Sequence, residues 1–356
     1  MGNAEPPSSS WPRPSPSGAT PPDPFPATEL ELIRLIRSAT APGEATGVIM
    51  GIGDDTAVLE PTLKARLLAT TDLLIEGVHF RRAWATPVDI GWKAMAVNLS
   101  DIAAKGGRPR WALVGLALPA PANPADVASL YDGMRQAAAP HGVVVVGGDT
   151  SVSPGGWFVN VTLLGEHESM PHLRSAAKPG DLIAVTGTVG RAAAGLAALE
   201  AGRSGQSPAA EACALAHLRP TARVSEGRWL GAAEGVHAMI DLSDGLSADL
   251  GHICRESGVG ARVALDRVPV DGNAREIARD LGADALVWAI AGGEDYELLV
   301  TCDPASVEVL ADGLRRATGA ALTVIGEIEG LKGGIVFVDG AGQPVAMPHG
   351  YEHFRE

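Results

Sequence analysis

The sequence predicts an α/β (α+β) chain of two domains. Its 356 residues are 46% hydrophobic, enough for more than one sizeable core. Apolar runs of strand length alternate along it with longer stretches of helical period. Between His167 and Pro179 that alternation lapses into a polar, proline-containing stretch without period, which sets the expected division at residues 27–168 and 169–356.

Residues 1–26 are mostly Pro and Ser with almost no aliphatic content, and are expected to form a disordered tail. Thr28 then reads as a helix N-cap with Glu31 at the third helical position, and Leu30, Ile33, Leu35 and Ile36 supply an apolar face. Gly51-Ile52-Gly53-Asp54-Asp55 is an acidic turn after that helix. Arg66–Thr71 reads as a buried strand that ends on Asp72. Asp89 is a candidate cap for a helix reaching about Lys105, with Ile90, Ala94, Val97 and Ile102 as its buried stripe. On it Lys93, Val97 and Asp101 follow one another in steps of four. Trp111–Leu118, Gly142–Val146 and Trp157–Gly165 are further expected strands, with a helix over Val127–Ala138.

In the second half Asp181–Thr186 is an expected strand running into Gly187-Thr188-Val189-Gly190 and an Ala-rich helix. That layout lacks the full glycine fingerprint and the acidic ribose partner of a dinucleotide site, so it is not read as one. Ser204–Pro208 is a loop by composition. Val236–Ile240 is a strand ending at Asp241, followed by Ser243 as N-cap and a helix over Asp244–Glu256. Two apolar runs, Ala285–Ile290 and Tyr296–Thr301, bracket Gly292-Gly293-Glu294-Asp295, and strands at Leu322–Ile325 and Gly334–Val338 lead to an aromatic C-terminus.

The net charge of −14 argues against a nucleic-acid or anionic-membrane surface, either of which needs a basic patch. Lysine is confined to Lys64, Lys93, Lys105, Lys178 and Lys332, and no P-loop sequence occurs. Cys213, Cys254 and Cys302 are widely spaced and form no Cys-x-x-Cys pair, so a reducing cytoplasm is expected rather than a disulfide framework or a zinc knuckle. No apolar run is long enough for a membrane span, and no signal-peptide pattern opens the chain.

What remains is a dispersed acidic set: Asp54-Asp55, Asp72, Asp101, Asp149, Asp241 and Asp244. An Asp beside Gly is ordinary turn chemistry when it stands alone. Here five segments repeat it at the ends of apolar runs, where open sheets place ligand groups. Hard oxygen donors of this kind suit magnesium, which takes its remaining ligands from water and phosphate, and Thr70, Thr71 and Ser243 add neutral oxygens.

The ordered set Gly51-Ile52-Gly53-Asp54-Asp55, Thr71-Asp72 with His79, Asn98-Leu99-Ser100-Asp101, Gly147-Gly148-Asp149-Thr150, Asp241-Leu242-Ser243-Asp244-Gly245-Leu246 and Gly292-Gly293-Glu294-Asp295-Tyr296-Glu297-Leu298 resembles the thiamine-monophosphate kinase family over residues 28–356. The resemblance implies a two-domain fold like that of aminoimidazole ribonucleotide synthetase. It further implies a homodimer formed by the N-terminal sheets, ATP bound near that interface, and a C-terminal α/β domain closing over it. Asp55, Thr70, Thr71, Asp72, Asp101, Asp149 and Asp241 correspond to the family's Mg2+ ligands, Asp244 to a further metal position, and Asp72, Asp149 and Asp241 to those most directly engaged in catalysis. Gly148, Asp149, Arg174 and Ser243 correspond to ATP contacts, and His79, Glu294 and Tyr351 to contacts with thiamine monophosphate. The tail before residue 27, Lys105 and the Gly155-Gly156 loop depart from the family pattern, and all three are expected to lie away from the ligands. A different synthetase or kinase of the superfamily, or a non-catalytic nucleotide or metal sensor, are the alternatives.

Overall fold

The computed structural model describes residues 29–40, 47–52, 56–330 and 334–351. The tail at 1–26, the Thr28 cap and Asp54-Asp55 lie outside the described residues. Helix α1 (Glu29–Ala39) and the ladder β1 (Val48–Met50) with β2 (Val58–Leu59) precede β3 (Arg66–Ile75), α2 (Pro87–Ala103), β4 (Arg108–Leu118), α3 (Pro124–Ala138), β5 (Val144–Val152) and β6 (Phe158–His167). The second half runs β7 (Leu182–Thr186), α4 (Arg191–Glu200), α5 (Pro208–Leu218), α6 (Val224–Ala232), β8 (Val236–Asp241), α7 (Leu246–Ser257), β9 (Gly260–Ala264), α8 (Gly272–Leu281), α9 (Ala285–Ala291), β10 (Leu298–Cys302), α10 (Val307–Thr318), β11 (Leu322–Glu329), β12 (Ile335–Val338) and β13 (Pro344–Val345).

The first half forms a sheet of order β3-β6-β4-β5 and the second a sheet of order β13-β12-β9-β11-β7-β10-β8. Only β4 with β5 and β9 with β12 pair in parallel within these two sheets. One face of the first sheet is covered by α2, while strand alternation leaves Leu67, Leu73 and Leu113 exposed on the other. A single core cluster joins the two halves, running from Ile90 and Leu163 to Met239 and Val300, and a second lies on the far face of the larger sheet around Ile240, Leu250 and Ile325.

Helix α2 is the spine between the halves, and it is buried on nearly every side rather than along one stripe. Gly91 and Gly133 let α2 and α3 approach until a Cβ on either would sit about 2 Å from a main-chain oxygen of the other, at Leu130 and Val88. Trp92 Nε1 reaches across to the Pro220 carbonyl at 2.7 Å, and Arg219 Nε meets Asp89 Oδ1 at 2.5 Å. These contacts seat the second half on the helix that carries Asp101. Among the described residues no helix is long and apolar enough to cross a membrane.

Several expected boundaries move. Leu32 and Ile36, with Leu35 beside them, form the buried face of α1. The N-cap of α2 is Thr86, not Asp89; Asp89 is the third residue of a capping box, because Pro87 takes the first helical position. Strand β3 continues past Asp72, and β5 runs through Gly147-Gly148-Asp149 instead of turning there, since β6 and β4 supply ladders for both. Helix α7 starts at Leu246 behind Gly245 at φ 106, so Ser243 is not its cap. Ser207, in the expected loop, caps α5 through Ala210 N at 3.1 Å, and the apolar run at 285–290 forms a helix.

Candidate active site

Alternation along β3 turns Thr70 and Asp72 toward α2, where the Thr70 hydroxyl donates to Asp101 Oδ2. The last residue of β8, Asp241, is 3% exposed and accepts from Ser100 Oγ at 2.6 Å. Asp244 follows in the turn, and Asp249 on the first turn of α7 accepts from Asp244 N at 3.1 Å. Carboxylates from three distant segments, β3, α2 and the stretch from Asp241 to Asp249, therefore converge, and their charges act on one another.

Burial, then Asp101, Asp241 and Asp244, push Asp72 up to about 7. Burial and Asp101 likewise raise Asp241 to about 6, against the Ser100 bond and Lys105. Burial raises Asp101 despite the Thr70 bond and the charges of Arg174 and Lys105. Asp249 is raised well above the usual range, first by burial and then by Asp241 and Asp244. Lys105 is not remote from the proposed ligands, contrary to expectation. It stands one helical turn after Asp101, donates to the Met239 carbonyl at 3.2 Å, and is pushed down to about 8 by burial and Arg174 although Asp241 and Asp101 pull it up.

Such a donor set fits a hard divalent cation. Buried like charges whose protons are held tightly because the chain neutralises them incompletely are relieved by one. Asp244, Asp249 and His252 bring ligand atoms within 4.8 Å of one another. Sequence reasoning misses Asp249, carries Ser100 only inside the Asn98-Leu99-Ser100-Asp101 motif without a role, and places Lys105 away from the ligands although its step of four from Asp101 signals otherwise.

Not all the expected ligands join. Thr71 points to the opposite sheet face, with Thr162 Oγ1 at 3.0 Å. Gly148 lies level with Asp72 but three strands away, through Val161 and Val114, a separation of about 14 Å at the usual ~4.8 Å strand spacing. Its φ of 153° and the Val114 oxygen, 1.9 Å from where a Cβ would fall, admit only glycine. Asp149, next along β5, is exposed, and Asp55 lies outside the described residues.

A second constellation adjoins the carboxylates. The amide of Glu294 donates to the Ser243 carbonyl at 2.8 Å, and the amide of Tyr351 to the Asp244 carbonyl at 2.9 Å. Neighbouring residues of the acidic turn thus hold both. Glu294 Oε1 lies 2.6 Å from Lys93 Nζ and Oε2 2.9 Å from His217 Nδ1. Burial would raise this carboxyl, but Lys93 and His217 outweigh it and hold it at about 2. Lys93 also donates to the His79 carbonyl at 3.1 Å, and His79 Nδ1 accepts from Ile75 N at 3.0 Å. Asp295 accepts from Gly190 N at 2.5 Å and Ala192 N at 3.1 Å, so the chain's own carboxylate fills the N-terminus of α4 that superficially looked like a dinucleotide turn.

Residues 53–167 match the family model described as AIR synthase related protein, N-terminal domain, and residues 178–339 its C-terminal counterpart. A thiamine-monophosphate kinase of Aquifex aeolicus is 37% identical over 303 residues, 85% of this chain and 92% of that protein. The crystal structure of thiamine-monophosphate kinase from Stenotrophomonas maltophilia superposes with a TM-score of 0.78 at 38% identity, over 88% of this chain and 96% of that one. AaThiL complexed with AMPPCP and TMP superposes with a TM-score of 0.72 at 35% identity, over 92% and 97%. Fold and site together define a two-domain protein of the AIR synthase related class. Within that class the chain belongs to the thiamine-monophosphate kinase family, whose members are phosphotransferases.

Proposed function

We propose that this chain transfers the γ-phosphoryl group of ATP to the phosphate of thiamine monophosphate, giving thiamine diphosphate and ADP in a direct, in-line, Mg2+-dependent step. The convergence of Asp72, Asp101, Asp241 and Asp244 carries the reading. The phosphate acceptor, with a second pKa of about 6, is an anion near neutral pH and needs no general base. The barrier is repulsion between two polyanions, so catalysis reduces to alignment and neutralisation. A chain of net charge −14 does not neutralise them by itself. Bound magnesium would supply charge neutralisation at the phosphate oxygens.

The carboxylates of Asp72, Asp101, Asp241 and Asp244, with the Thr70 hydroxyl, would hold that ion, and Ser100 orients Asp241. Asp149, Gly148, Asp55, Arg174 and Ser243 are assigned to the nucleotide and its metal, and His79, Glu294 and Tyr351 to the acceptor. The division into domains at residues 168 and 169 belongs to the same reading, as does a cytoplasmic location. So does a homodimer, in which a second copy covers the apolar face bearing Leu67, Leu73, Leu113 and Thr71.

ADP release followed with thiamine monophosphate, thiamine and an aminoimidazole ribonucleotide precursor as rival acceptors tests the assignment. Release dependent on thiamine monophosphate alone is expected, and none with that acceptor would overturn it. Tyr351→Ala is expected to raise KM for the acceptor by about 2- to 30-fold, the range of a cation over an aromatic face, with KM for ATP unchanged. Equal changes in both would remove Tyr351 from the acceptor site.

A further inference from the structure

We propose that Lys93 is a positioning residue of the acceptor site: it fixes the Glu294 carboxylate in place and ties to it the turn that carries His79. This rests on Glu294 and His79 contacting the acceptor. Lys93 is 3% exposed on the spine helix α2. Its single ammonium lies 2.6 Å from Glu294 Oε1 and donates 3.1 Å to the His79 carbonyl. It therefore bridges the loop after β3 in the first half and the loop before β10 in the second. His217, from α5, takes the other Glu294 oxygen at 2.9 Å, so both carboxylate oxygens are held by groups on two different helices.

The backbone of that loop is held as well, the amides of Glu294 and Tyr296 donating to the Ser243 and Leu242 carbonyls at 2.8 and 2.9 Å. Glu294 has φ 68° and Tyr296 φ 51°, conformations that side chains disfavour and that persist only where surrounding contacts impose them. Lys93 also shares one face of α2 with Asp101, eight residues on and two turns away. One rigid helix thereby sets the spacing between the acceptor contact and a metal carboxylate. A shift of that helix relative to the second half would misplace the acceptor phosphate against the transferring group.

The test is a double-mutant cycle with Lys93→Met, Glu294→Gln and the double variant, assayed with thiamine monophosphate and ATP at saturating magnesium. Lys93→Met is expected to raise KM for thiamine monophosphate about 10-fold or more, with KM for ATP within about twofold. Glu294→Gln is expected to raise the same constant, and the double variant to fall well short of the product of the two single changes, because Lys93 acts in large part through Glu294 and for the rest through the His79 turn. In Lys93→Met the acid limb of acceptor binding moves to higher pH, a change that a merely structural lysine does not produce. Additive effects, or parallel rises in both KM values, would overturn the proposal, as would an unchanged acceptor KM in Lys93→Met where Glu294→Gln raises it. If Glu294→Gln itself leaves that KM unchanged, the assignment of Glu294 fails instead. Should Lys93→Met not fold, Lys93→Arg keeps the charge and changes the reach. It is expected to raise the acceptor KM at least threefold, and a wild-type value there would contradict a positioning role.

Discussion

Asp72→Asn is expected to lower kcat by at least about 100-fold, the scale of losing one preorganised stabiliser of transition-state charge. The amide keeps the shape of the side chain and removes one of the charges that meet beside Asp101, Asp241 and Asp244. In the metal-free protein that substitution relieves repulsion, so the variant should unfold at the same temperature as the parent or higher. Loss of turnover without loss of stability separates a catalytic role from a structural one. Full turnover in purified Asp72→Asn would remove Asp72 from the mechanism.

Metal-free protein is expected to lose stability as the pH rises from about 4 to 7, and magnesium to restore it. Asp72 is held near 7 and Asp241 near 6, against 3.8 for an ordinary aspartate. Above about pH 4 the unfolded chain has released protons that the folded chain still holds. The contribution of these groups to stability is therefore full below that pH and lost as the pH climbs through the raised values. At ~1.4 kcal/mol per unit, the loss is on the order of a few kcal/mol, less than additive because the carboxylates interact. Glu294 works with the opposite sign, but its stabilisation is lost only as the pH falls toward 2, outside this window. Thermal unfolding near pH 5.5 and near pH 8, with and without excess magnesium, should show the larger magnesium increment at the higher pH. Equal increments would mean that the raised carboxylates do not receive the ion.

The parts of this site readable from sequence are those where pattern and position coincide. The strand ending on Asp241 and the steps of four from Lys93 through Val97 to Asp101 survive in the structure because an apolar run and a helical period are local signals. Asp72 and Asp149 look alike in sequence, each a carboxylate closing an apolar run. Both in fact lie inside strands, because polar residues on one strand face mimic a strand end. Only sheet order separates them, and order is a long-range property. Ser100 finds Asp241 across 141 residues, and His217 finds Glu294 across the stretch that holds β8 and β9. Lys93, Lys105 and His217 owe their importance to such tertiary partners, and beyond the helical steps that tie the two lysines to Asp101 nothing next to them in the chain announces it.

The most direct measurement is anomalous scattering from crystals grown with Mn2+ in place of magnesium, a non-hydrolysable ATP analogue and thiamine monophosphate. Metal peaks ligated by Asp72, Asp101 and Asp241, and shared with oxygens of both bound phosphates, are the predicted result. Both ligands seated with those three carboxylates ligating no metal would contradict the account.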